Sequence, residues 1–191
     1  MSDSTPSPQD LPSMLSARVE AALACQGQND LAQAELIFQE VLAVDPAHFV
    51  ALHQMGTIKN GQGDFEGACR WLEDAIRVNP RSALAHLNLG ISLCNLQQFE
   101  KALAHFGVSL VIKAGNPDAL VNRALANHQL GRSAKAEADL RKALALRPDD
   151  QIIVNLLAKV SNDQRQVFSA LVGFRALCAQ AIEARDPGLH H

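Results

Sequence analysis

Aromatic side chains are scarce in this sequence: it has no Tyr, one Trp and seven Phe, so aromatics make up 4% of 191 residues. Any core must therefore be aliphatic, and 48% hydrophobic residues, led by Ala and Leu, suffice to build one. Ala and Leu lose little on entering a helix, which favours an all-α chain. No run approaches the roughly 20 apolar residues that a membrane-spanning helix requires, so no membrane partner is expected. The opening MSDSTPSPQDLPS has neither a basic segment nor an apolar core. It does not read as a secretory leader, and residues 1–14 are expected to form a disordered tail. The four cysteines, Cys25, Cys69, Cys94 and Cys178, make no Cys-x-x-Cys pair and have no His at metal-ligand spacing. Each sits among apolar residues, where Cys acts as a small hydrophobe. No metal, no cofactor and a reduced, cytoplasmic setting are the expectations.

Charge is equally unassertive. The net charge of -3 gives the whole chain no pull towards nucleic acid or an anionic surface. Beneath that total lies an asymmetry: residues 1–82 hold 5 Lys+Arg against 11 Asp+Glu, and residues 83–191 hold 12 against 9. Catalytic patterns are missing as well. Gly61-Gln62-Gly63 is a turn, not a phosphate loop. His53, His86, His105 and His128 are scattered over helical segments without a nucleophile or carboxylate at useful spacing, His48 falls in a turn, and His190 and His191 end the chain. Glu73-Asp74 reads as a solvated face and Asp149-Asp150 as a helix cap. The chain is expected not to be an enzyme.

What is present is a repeat. Ala34, Ala68, Ala102 and Ala136 recur every 34 residues. Four positions after each come Phe38, Leu72, Phe106 and Leu140; twelve after, Pro46, Pro80, Ala114 and Pro148; twelve before, Ala22, Gly56, Gly90 and Ala124. Four columns in one register mark a repeat architecture. The small residues let two helices approach closely and bury the larger ones around them. Asn29-Asp30 and Gly63-Asp64 supply a residue tolerant of left-handed backbone followed by a capping carboxylate, and Asp30 with Gln33 has the form of a capping box. Gly131 and Ser133 are expected to do the same in the fourth unit, and Asn116-Pro117 to open the helix that follows the third.

The 34-residue period, with Met55-Gly56 or Leu89-Gly90, then Ala68 or Ala102, Leu72 or Phe106, Ala75 and Pro80, resembles the tetratricopeptide repeat (TPR). It covers 15–48, 49–82, 83–116 and 117–150, with a degenerate fifth unit and C-terminal capping helix at 151–184, carrying Leu157-Ala158, Ala170 and Phe174 in register, and a tail at 185–191. The Trp and Tyr usual in the first helix are replaced by Leu52 or His86 and by Lys59 or Leu93. The resemblance implies an α-α superhelical solenoid of stacked antiparallel helix pairs, with a concave groove lined by first helices. It also implies a non-catalytic scaffold whose partner is a protein or extended peptide.

Position 6 of each unit carries Glu20, Gln54, Asn88 and Asn122, and seven residues beyond come Asn95 and Gln129. A carboxamide donates and accepts at once, so Gln54, Asn88, Asn122, Asn95 and Gln129 are the expected ligand-binding residues of the groove. The pattern is similar to the asparagine ladder of O-GlcNAc-transferase superhelices. The substrate-recognition part of such a glycosyltransferase, with its catalytic part elsewhere, is therefore an alternative reading, and a secretion chaperone is another. The carboxylate clamp by which chaperone-binding members hold a Glu-Glu-Val-Asp terminus is not matched: its positions carry Val19, Leu23, Gln54, Leu84 and Asn88, without a cation. In the last segment Val167, Leu171, Phe174 and Cys178 make an apolar stripe for packing on the fourth unit, and Phe168, Val172, Ala176 and Ala179 make a second. The second stripe reads as a homodimer contact through Phe168 and Val172, a seat for a bound partner, or a face covered by further chain.

Overall fold

The computed structural model describes residues 11–185; beyond Gln166, among side chains, only those of Ser169, Val172 and Arg175 are described. These residues form helices α1 (Leu11–Gly27), α2 (Leu31–Val44), α3 (Phe49–Gln62), α4 (Phe65–Val78), α5 (Ala83–Asn95), α6 (Phe99–Ile112), α7 (Pro117–Gln129), α8 (Ser133–Leu146) and α9 (Gln151–Arg185), with no strand among them. The chain divides into two compact units, 1–115 with α1–α6 and 116–191 with α7–α9.

In the first unit α1 pairs with α2, α3 with α4 and α5 with α6, while α2 packs on α3, α4 on α5, and α3 also meets α5. The small-residue columns explain the pairing. Ala22, Ala34, Ala68 and Ala102 are fully buried, beside fully buried Phe38, Leu72 and Phe106. At Gly56 an added Cβ would lie 2.5 Å from Leu72 Cγ, and at Gly90 it would lie 2.4 Å from Phe106 Cε1. The first helix of each hairpin thus presses its backbone onto the large residue of the second, the close packing expected of a well-filled core.

The hairpin turns follow the capping chemistry. Asn29 (φ 62°) and Gly63 (φ 80°) take the left-handed conformation. Asp30 then accepts from Gln33 N–H at 3.1 Å, and Asp64 from Gly67 N–H at 2.9 Å. In the third hairpin Gln97 takes the left-handed position (φ 59°), and Gln98 caps α6 without a side-chain bond. Between hairpins, His48 Nδ1 accepts from Ala51 N–H at 3.3 Å and Ser82 Oγ from Ala85 N–H at 3.2 Å.

The second unit is an α7–α8 hairpin with α9 packed on α8. Asn116 caps α7, with Pro117 in its first turn. Between the two helices of the hairpin, Arg123 forks onto Asp139 with bonds of 2.8 and 2.7 Å, and Asp139 is only 5% exposed.

Three expectations need correction. Helix α1 begins at Leu11 rather than at residue 15, because Pro12 is tolerated in a first turn, where its missing N–H is not needed. Ser133 does not cap α8: it is the first helical residue, and Arg132 stands at the cap position without a side-chain cap bond. The segment 151–184 is not a helix pair but lies within the single 35-residue helix α9. Where the other hairpins place a left-handed residue, this segment has Arg165-Gln166, and the helix runs through them. Phe168 and most of both apolar stripes lie outside the described side chains; Val172 is 52% exposed.

Gly90→Ala should lower stability by roughly 1–3 kcal/mol, since the buried Phe106 ring cannot move aside. Gly107→Ala in α6 meets nothing within 4 Å and should raise stability by roughly 0.5–1 kcal/mol. Urea denaturation of the two variants reads both signs. Arg123→Ala leaves the Asp139 carboxylate buried without its partner and should lower stability by about 2 kcal/mol, measured the same way.

Candidate functional site

The first helices α3 and α5 lie side by side, and the seam between them is polar. Asn88 Nδ2 donates to His53 Nε2 at 3.0 Å and to Thr57 Oγ1 at 3.3 Å. One helical turn on, Ser92 Oγ donates to Asn60 Oδ1 at 2.8 Å, and Asn60 Nδ2 reaches back towards the Asn88 carbonyl oxygen at 3.5 Å. His53 and Ser92 are buried. Burial holds the His53 imidazole below its ordinary pKa. The neutral ring must carry its proton on Nδ1, because Nε2 accepts from Asn88. With its amide hydrogens directed at His53 and Thr57, Asn88 has its Oδ1 left to accept a ligand N–H.

The remaining carboxamides are placed differently. Gln54 on α3 is half-buried beside His53, and the seam brings Asn88 to His53 and Thr57 rather than to Gln54. Asn95 is exposed near the end of α5, its Nδ2 on the Ile91 carbonyl at 3.0 Å. In the second unit Asn122 is half-buried on α7, its Nδ2 on the Asp118 carbonyl at 2.8 Å, and Gln129 is exposed near the end of the same helix. Sequence reasoning missed His53 and Thr57; their four-residue spacing, one turn of one face, was the available signal.

The first helices of the first unit also expose apolar side chains. Leu23 is 38% and Leu84 55% exposed. Lys59 is held by Glu35 Oε1 at 2.6 Å and Gln62 Oε1 at 3.1 Å, and that contact with Lys59, followed by one with Gln62, lowers the Glu35 pKa. Burial pushes the Cys94 thiol up to about 11, which leaves it a poor nucleophile. Among the described residues no group of three His, Cys, Asp or Glu side chains is placed to hold a metal ion, and no helix is long and apolar enough to cross a membrane.

Two histidines set apart in the sequence meet in the α5–α6 hairpin. His86 and His105 lie with Nδ1 atoms 3.0 Å apart, centroids 5.3 Å apart and ring planes inclined by 27°. Centroid and nitrogen separations together describe rings edge to edge, each nitrogen pointing at the other. His86 Nε2 lies 3.1 Å from the Pro80 carbonyl, so it donates there, and the shared proton belongs to His105 Nδ1. Burial, then the proximity of His86, lowers the His105 pKa.

Paired helices, close small-residue crossings and capped turns repeated at 34 residues define an all-α helix-hairpin repeat protein. The chain belongs to the tetratricopeptide-repeat family: three sequence models of that repeat match residues 50–74, 71–104 and 89–159. It is 26% identical over 112 residues to a Hsp70-Hsp90 organising protein of Plasmodium falciparum, covering 59% of this chain and 44% of that one. The chain spans about half the length, or less, of the curated relatives it matches. Among solved structures, a MamA protein is similar with a TM-score of 0.74 at 17% identity, covering 93% of this chain and 96% of that one. The first TPR of Spaghetti (RPAP3), bound to the HSP90 peptide SRMEEVD, is similar with a TM-score of 0.60 at 20% identity, covering 61% and 93%. At such identities the structures share the fold.

Acidification tests the histidines. His53 and His105 have folded-state pKa values below the unfolded value of about 6.5, so their contribution to stability is complete above that value and is lost as pH falls through the lowered ones. Urea midpoints should fall between about pH 7 and pH 5, and the double variant His53→Gln, His105→Gln should flatten that dependence.

Proposed function

We propose that the chain is a non-catalytic protein-interaction module of the scaffold kind, holding a polypeptide segment on the surface formed by its first helices. The observation that carries this reading is the Asn88 carboxamide, whose amide hydrogens are directed at His53 and Thr57 and whose oxygen remains for a ligand. An acceptor fixed in this way suits a backbone N–H, which every non-Pro residue of an extended chain offers. Gln54 and Asn95 are further carboxamides of the same unit; Asn122 and Gln129 belong to the other unit. The peptide-bound TPR neighbour and the organising-protein relative support a polypeptide as the partner class.

The chemistry of this surface argues for a different terminus from the one in that neighbour. Val19, Leu23, Gln54, Leu84 and Asn88 offer no cation to a pair of carboxylates, and Lys59 is engaged with Glu35. An uncharged or apolar segment, with Leu23 and Leu84 as seats for its side chains, is the better complement. Such a partner binds by many modest contacts, not by one anchor.

A peptide selected from a display library on the purified chain provides the ligand for a test. Asn88→Ala should weaken its binding by about 0.5–1.5 kcal/mol. Glu73→Ala, on an exposed position of α4, should leave affinity unchanged. Calorimetric titration reads both variants, and an unaltered affinity in Asn88→Ala would remove this carboxamide from the site.

A further inference from the structure

The second unit contains a cavity of about 1040 Å³ that no part of the proposed groove uses. Its wall comes from the end of α7 at His128, the turn Gly131-Arg132, the first two turns of α8 and the stretch 161–165 of α9. Four cations line it, Arg132, Lys135, Arg141 and Arg165, with two carboxylates, Glu137 and Asp163.

Both carboxylates are already engaged. Glu137 takes Arg141 in a pairing of 2.6 Å and also the Gln164 amide at 2.8 Å. Asp163 lies 3.2 Å from His128 Nε2. The start of α8 is served too, since the Gln164 carboxamide oxygen accepts from Ala134 N–H at 2.9 Å. What is left over is positive: the side chains of Lys135 and Arg165 have no ion pair or hydrogen bond among the described residues. His128 adds a buried Nδ1 without a hydrogen-bond partner.

We infer that this cavity is a docking site for a carboxylate of an acidic polypeptide segment, held between Lys135 and Arg165. Charge complementarity selects the class. Lys135 and Arg165, set against the one carboxylate of Asp163, leave the concavity able to take one further carboxylate, and Arg165 offers the planar fork that carboxylates accept. Nucleic acid draws instead on a long row of phosphate contacts, and the two cations without a bonded partner here do not make such a row. The cavity would give the module a second point of attachment on the partner, or a partner of its own, independent of the carboxamide surface.

The test uses the full chain and a fluorescein-labelled hexaglutamate peptide with an amidated C-terminus, followed by fluorescence anisotropy at about 0.15 M salt, where charges outside the site are screened. Lys135→Glu and Arg165→Glu should each weaken binding by about tenfold or more. Lys142→Glu, exposed on α8 but outside the cavity wall, should change it by less than about twofold. Asn88→Ala should leave it unchanged, which separates this site from the proposed groove. Circular dichroism should show equal helicity in every variant, because all three cations are exposed. A free-acid peptide that binds where the amidated one does not would place a terminal carboxylate in the site. Equal binding of hexaglutamine, an equal loss in Lys142→Glu, no loss in Lys135→Glu and Arg165→Glu, or tighter binding of an oligothymidylate would overturn the proposal.

Discussion

Where Gly90 faces Phe106 and Gly56 faces Leu72, one helix rests its backbone directly on a side chain of the next, with no room for even a methyl group. Much else follows from that contact. It sets the distance between the two helices of a hairpin, so Ala68 and Ala102 must be small as well. It buries Phe106 and Leu72 completely, and these are among the largest side chains in a core that has few aromatics. Repeated every 34 residues, it also brings the first helix of one hairpin beside the first helix of the next, as α3 lies beside α5. A sequence poor in Trp and Tyr reaches native density by close approach instead of by volume.

The α3–α5 seam then meets a different constraint. It is neither fully buried nor fully wet, so apolar residues would leave an exposed strip and unpaired polar ones would incur desolvation. A closed set of hydrogen bonds resolves this: Asn88 to His53 and Thr57, Ser92 to Asn60. The network also orients what it holds. Asn88 is fixed by a neighbouring helix, whereas Asn122 and Asn95 are each tied to the carbonyl of the residue four before in their own helix. An acceptor fixed from outside its own helix retains its direction when the side chain is contacted, which lowers the entropy lost on binding.

The sequence makes legible whatever is local and periodic. The alanine and glycine columns, the left-handed Asn29 and Gly63, and the Asp30, Asp64 and Asn116 caps are properties of a few adjacent residues, and each was readable from them. Gln97 was not, because nothing in its chemistry favours φ 59°; the hairpin geometry imposes it. The His53–Asn88 and His86–His105 contacts join residues 35 and 19 apart. Such pairs become visible only once the helices are placed, which is why these histidines looked scattered. For the candidate site the position of the carboxamides along the helices was readable, but the direction of each amide was not.

The departure at the fifth unit has the same origin as the cavity of the second unit. In all four hairpins the chain turns through a left-handed residue; at Arg165-Gln166 it does not, and α9 continues to Arg185. The stretch that would have formed a turn therefore stays helical beside the start of α8. Gln164 takes over there the capping that Ser133 does not perform, on Ala134 N–H. Asp163 meets His128 from the same stretch, and Arg165 faces the same space as Lys135. A turn would have ended the helix before this row of side chains was complete. The lost turn and the cluster of cations without bonded partners are thus two results of one fact, the continuation of α9 through 165–166 as helix.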